Sequence, residues 1–203
     1  MKINKLFLIL LAFLITVSFS GCFVRIGIGG VRGNGNVVSQ DRSAAGFTGI
    51  EINGAGNINI YQSENYKVTV TTDSNIQDIV EVKVSGSSLQ ISQKNNTGFN
   101  PTKFDIDVYL PDLKNITVNG AANIKIKDGK TSDLAISVAG AAKIDTRDYE
   151  VQNVNVDLAG AGEVTTWAVS TLNYKIAGVG TIRYKGSPTR DGSISGVGSI
   201  KPL

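Results

Sequence analysis

Ile116-Thr117-Val118-Asn119-Gly120-Ala121-Ala122-Asn123-Ile124 returns twenty residues later as Ile136-Ser137-Val138-Ala139-Gly140-Ala141-Ala142-Lys143-Ile144. In both copies apolar residues fall on every second position, a run of small residues interrupts them, and the alternation resumes in the same phase. Alternation of this kind belongs to strands with one buried face. The interruption is too short for a crossover helix, so it reads as a corner between two strands.

The same corner recurs along the chain. Its first glycines are Gly54, Gly120, Gly140, Gly160, Gly178 and Gly196, spaced 66, 20, 20, 18 and 18 residues apart. A fixed period of this length is what stacked coils leave in a sequence. The expected fold is therefore all-β, a single-domain right-handed parallel β-helix (β-solenoid) over residues 36–203. The right hand follows the usual preference of parallel connections, while the 18-residue spacings leave a left-handed hexapeptide coil as an alternative. Tyr149-Glu150-Val151 supplies a third short segment per coil. The long first interval is expected to hold a degenerate copy, Ser85-Gly86-Ser87-Ser88 leading to Leu89-Gln90-Ile91, followed by an excursion over residues 95–103. At most one turn of helix is expected, over residues 75–80. The inner face is assigned to Ile50, Ile52, Ile58, Val118, Ile124, Val138, Ile144, Leu158, Val164, Ile176 and Ile182.

Glycine at the corners lets neighbouring backbones approach without a Cβ between them. Ala122 and Ala142 at the third corner position point to a demand for small size more than for an unusual backbone angle. A dinucleotide loop lacks its third glycine and its helix here. The calcium-binding nonapeptide needs an Asp where these copies place Ile58, Ile124, Ile144, Val164, Ile182 and Ile200.

Residues 1–21 have the layout of a secretory signal, with Lys2 and Lys5 ahead of an apolar core from Leu6 to Val17 that is too short to span a bilayer. Val17-Ser18-Phe19-Ser20-Gly21-Cys22 resembles a bacterial lipobox, with Phe19 where an aliphatic residue is usual. Cys22 is the chain's one cysteine, so no disulfide within the chain accounts for it, and lipidation of Cys22 does. Acyl chains there would attach the protein to a membrane. Residues 22–35 read as a Gly-rich tether. Phe23, rather than Asp, follows the cysteine, which under the enteric sorting rule favours the outer membrane.

Chemistry is sparse. The chain has no histidine, which removes His-dependent triads and the commonest metal ligand. No cofactor or metal is expected. Losing Lys2 and Lys5 from 20 basic residues leaves them nearly balanced by 17 acidic ones, and no basic cluster with interleaved aromatics points to nucleic acid. Lys103, Asp105, Asp107 and Tyr109 share one strand face, as a carbohydrate-active β-helix would require. Alternation alone produces such a polar face opposite Phe104, Ile106, Val108 and Leu110, so they are expected to be solvated surface. Asp145, Arg147 and Asp148 are read the same way. Tyr174 and Tyr184 occupy apolar slots and are expected to be core. Trp167 and Tyr149 fall in neighbouring coils, and Phe99 is the aromatic residue expected to be exposed. Residues that change beside a nearly invariant corner, Asn57, Asn123, Lys143, Glu163, Thr181 and Ser199, are the candidates for reading a ligand.

The run from Asp107 to Ile124, with Pro111-Asp112-Leu113-Lys114-Asn115-Ile116 leading into the Gly120 corner, strongly resembles the signature of the head GIN domain family of bacterial envelope proteins. Phe47 to Ile58 resembles that family's opening motif. The resemblance spans about residues 34–203 and implies a parallel β-helix in an exported, often lipid-anchored, adhesin-like protein. No catalytic residue carries over. The resulting expectation is a noncatalytic binding, adhesion-like or structural module of the cell envelope, anchored through Cys22, with a carbohydrate or envelope protein as ligand. The alternative is a polysaccharide lyase or hydrolase using Asp105 and Asp107.

Overall fold

The computed structural model describes residues 30–203, so Cys22 and the signal segment lie outside the described residues. The fold is all-β, and its one regular helical element among the described residues is a 3₁₀ turn at Lys94–Asn96. The strands are β1 (Val31–Arg32), β2 (Val37–Arg42), β3 (Gly49–Gln62), β4 (Lys67–Asp73), β5 (Val80–Ser85), β6 (Ser88–Gln93), β7 (Phe99–Asn100), β8 (Phe104–Leu110), β9 (Asn115–Ile126), β10 (Gly129–Lys185) and β11 (Thr189–Pro202). The main sheet runs β11-β10-β9-β3-β8-β4-β2.

From β3 to β11 the ladder is parallel and the corners are in register. Gly54 pairs with Gly120, Gly120 with Gly140, and Gly178 with Gly196. A Cβ on Gly160 would meet the carbonyl of Gly140, and one on Gly178 that of Gly160. The alternation buries one face of each strand, and all eleven residues assigned to the inner face are at most 2% exposed. Thr146 joins them inside and bonds Thr166 through its hydroxyl, 2.9 Å away. The pair satisfies an inward hydroxyl, whereas the buried Thr72 hydroxyl has no side-chain or backbone partner.

The corner glycines differ by position. The first glycine of each corner sits at φ between 133° and 146°, and a side chain there would also strike the preceding glycine at Gly120, Gly140, Gly160, Gly178 and Gly196, or the Gln93 amide at Gly54. The first position thus requires an unusual backbone angle as well as small size, which corrects the expectation drawn from the third position. At the third position size alone acts, and Ala122 and Ala142 fit there almost fully buried.

The sheet is mixed, not parallel throughout. Ser85-Gly86-Ser87-Ser88 is the turn of a hairpin that pairs β5 with β6 antiparallel, with Gly86 at φ 59°. It is not a degenerate corner. The 66-residue interval skips no layer, because Gly54 and Gly120 are direct neighbours. The intervening chain covers the free edge of β3 instead, β6 pairing with Gly49–Ile52 and β8 with Asn57–Gln62. Antiparallel pairs of β4 with β8 and β2 with β4 extend that end. Residues 74–79 form turns, closed by bonds such as Gln77 N–H to the Asp73 carbonyl at 3.2 Å.

Asp73 ties this end together. Its carboxylate accepts the Gly35 N–H at 2.6 Å, the Thr102 N–H at 2.7 Å and the Thr102 hydroxyl at 2.8 Å. The 95–103 excursion is thereby held against β4, and β1 pairs with β7 beside it. Burial works to raise the carboxyl's pKa, but the bonds from Thr102 and Gly35 outweigh it and hold Asp73 below the usual carboxylate value of 3.8.

Gly140→Ala should destabilise the fold by about 3 kcal/mol or more, since φ strain and overpacking add, whereas Ala142→Gly should cost about 1 kcal/mol. Urea denaturation of both variants measures the contrast. Because the Asp73 pKa is depressed on folding, its contribution is complete above about 3.8 and is lost as pH falls through the folded value. Asp73→Asn should lower Tm at pH 7 and lessen the fall of Tm on acidification below pH 4.

Candidate binding trough and the rows beside it

The first polar residues after each corner line up because the register is shared. Asp105 pairs with Asn57, Asn57 with Asn123, Asn123 with Lys143, and Thr181 with Ser199. Glu163 falls between Lys143 and Thr181, with its carboxylate 3.8 Å from the Lys143 ammonium. Residues 18 to 66 positions apart in sequence thus form one continuous row, as expected for residues beside a repeated turn. The row is knitted by its own bonds. Asn123 donates to Asn57 at 3.1 Å, and Asn57 to Asp105 at 3.0 Å.

Beside this row runs a trough of about 820 Å³. Its floor consists of corner residues such as Ala55, Ala121, Ala141 and Ala161, whose short side chains leave the space open. Its wall is the excursion, with Phe99, Pro101 and Phe104. Phe99 is not free in solvent: it packs edge-on against Phe104 at 5.2 Å and leans on the core. A second hollow of about 500 Å³ continues from Ala161 and Gly162 towards Thr181, Arg183 and Ser199. The two form an open furrow along the corners.

The sequence candidates for chemistry come apart on inspection. Lys103 pairs with Asp105 at 3.3 Å, Asp107 accepts from the Asn59 amide at 2.9 Å, and Tyr109 stacks on Tyr61 at 4.6 Å. Both carboxylates are engaged by neighbours from β3, an arrangement that fits a solvated strand face. Asp145 pairs with Arg147 at 2.8 Å. Burial opposes ionisation of Asp145, yet the bonds and charge of Arg147 hold its pKa below the ordinary range. Tyr184 and Tyr149 are buried and Tyr174 packs against the core. The Tyr149 hydroxyl accepts the Leu113 N–H at 3.3 Å, and burial pushes its pKa up. Trp167 is half-buried under Lys185, whose ammonium lies 3.4 Å from the ring centre. Among the described residues no three His, Cys, Asp or Glu side chains group as a metal site would, and no helix is long and apolar enough to cross a membrane.

The family model described as "Putative auto-transporter adhesin, head GIN domain" matches residues 46–129 and 119–188. The chain belongs to the head GIN domain family. Among solved structures, that of "a putative adhesin" from Bacteroides fragilis is similar at 23% identity with a TM-score of 0.59, over 86% of this chain and 100% of that one. A "putative lipid binding protein" from Parabacteroides distasonis is similar at 22% identity with a TM-score of 0.53, over 85% and 99%. At such identities the likeness shows a shared fold and nothing further. No curated protein matches the chain.

The trough wall is what sequence reasoning missed. It depends on the excursion folding back onto the Gly54 corner, about 45 residues earlier in the chain, where Phe104 lies against Gly56, and the alternation pattern carries no local sign of that. Asp73, which holds the excursion there, reads locally as the polar end of a strand.

Proposed function

We propose that this head GIN protein is a right-handed parallel β-helix, lipid-anchored through Cys22 to the bacterial envelope at the outer membrane, and that it works as a noncatalytic, adhesion-like binding module. The winding is supported by the in-register parallel ladder at steps of 20 and 18 residues and by the usual hand of parallel connections. The binding role is supported above all by one observation: a constant floor of small residues carries a row of changing polar ones, Asp105-Asn57-Asn123-Lys143-Glu163-Thr181-Ser199. Such a row presents a sequence of donors, acceptors and charges along a line, which suits an extended carbohydrate or a protein segment laid in the furrow. Carboxylates held by neighbouring side chains, Asp105 by Lys103 and Asn57 and Asp107 by Asn59, favour binding over hydrolysis.

Filling the trough tests this. The double variant Ala121→Trp/Ala141→Trp, at exposed floor positions, should keep its melting temperature and lose at least about tenfold in adherence of the purified domain to envelope fragments. Unchanged adherence would remove the trough from the account. For the anchor, Cys22→Ser should move the protein from the membrane to the soluble fraction, and a variant that stays with membranes would refute lipidation as the means of attachment.

A further inference from the structure

One residue pair beyond the trough row, the same strand faces carry a concentration of cations that no stretch of sequence displays. Lys125 pairs in register with Asn59 and Asp145, and Arg183 with Lys201. Lys127 follows β9, its N–H donating to the Ile60 carbonyl at 3.0 Å. Arg147, Trp167 and Lys185 follow at the corner spacing, with the Lys185 ammonium over the Trp167 ring. Most acids beside these cations are committed: Asp105 to Lys103, Asp107 to Asn59, Asp145 to Arg147, and Glu163 to Arg183 at 3.0 Å and to Lys143, which leaves Asp148 next to Arg147. Lys125, Lys127, Lys185 and Lys201 are all exposed, and none forms an ion pair among the described residues. The outcome is a linear positive strip on a chain whose overall charge is small.

We propose that this strip is a second binding surface, bordering the trough and sharing Arg183 and the polar row with its edge, and that its partner is an acidic polysaccharide running across the paired strands. Strand spacing sets the ladder of side chains at about 4.8 Å per step, so Tyr109 to Lys185 spans about 24 Å. That shape fits an extended chain better than a small molecule. Three observations separate the classes of polyanion. Asn123, Thr181 and Ser199 lie between the cations and the corners, where they offer hydrogen bonds to sugar hydroxyls. One face of each ring is already taken, Tyr61 and Tyr109 lying on each other and Lys185 lying over Trp167, whereas single-stranded nucleic acid is held on open aromatic faces. Apart from Leu203 at its end, the strip bears none of the exposed large apolar side chains with which an interfacial surface enters a lipid bilayer.

Polygalacturonate is the probe, measured by calorimetry with the Cys22→Ser protein at low and at physiological salt. Wild-type strip residues should bind it, with affinity falling as salt rises. Lys125→Glu/Lys127→Glu/Lys185→Glu should weaken binding by at least about tenfold with an unchanged melting temperature. The same charge change placed elsewhere, Lys83→Glu/Lys94→Glu/Lys175→Glu, should alter it less than about twofold, and so should the trough-filling double variant, which separates this surface from the trough. No binding by the unmodified strip at low salt, or equal loss in the control triple, would overturn the proposal. So would tighter binding to a single-stranded oligonucleotide or to phosphatidylglycerol vesicles than to polygalacturonate.

Discussion

Everything in this structure depends on how closely one glycine lies over another. At Gly120, Gly140, Gly160, Gly178 and Gly196 the space where a Cβ would stand is taken by the carbonyl of the glycine before it in the stack, and φ there lies in a region that side chains rarely adopt. The contact can be made in one register only. A slip of one residue would put a side chain into a carbonyl and would also turn every inner residue outward. Corner and core therefore enforce the same alignment from two directions, and that agreement specifies the fold.

Register is also what gives the surface its meaning. Because each layer sits squarely on the last, a position such as the one just after the corner becomes a row, and its occupants become neighbours whatever their separation in sequence. Asn57 and Asn123 bond each other across 66 residues, and Lys143 meets Glu163 across 20. The scaffold supplies the spacing, and the varying residues supply the chemistry. Acids are matched locally by amides or cations, and lysines left over collect further along the same faces.

Much of this was legible in the sequence, and for a physical reason. Alternation reports burial of one strand face, so Ile50, Val118, Leu158 and Ile182 could be placed inside, and all are. The repeat reports stacking, so the row beside the corners could be named. What alternation does not report is strand direction. The β5–β6 hairpin and the antiparallel β4 carry the same period-two pattern as the parallel strands, and the hairpin turn at Gly86 looked like a worn corner. The 66-residue interval looked like a distance in space, although Gly54 touches Gly120. Phe99 looked exposed because its partner, Phe104, lies beyond a proline and a turn. Trp167 is covered by Lys185, a contact that exists only once two layers are stacked.

The shared register can be measured directly. Spin labels at positions 57 and 199, in a Cys22→Ser background, mark two ends of the row, with residues 123, 143, 163 and 181 stacked between them. Five strand spacings place the two Cα atoms about 24 Å apart, so pulsed electron–electron resonance should give one narrow distribution near that value once the label arms are allowed for. A broad distribution, or a mean beyond about 35 Å, would contradict in-register stacking of the corners and with it the rows on which binding is argued.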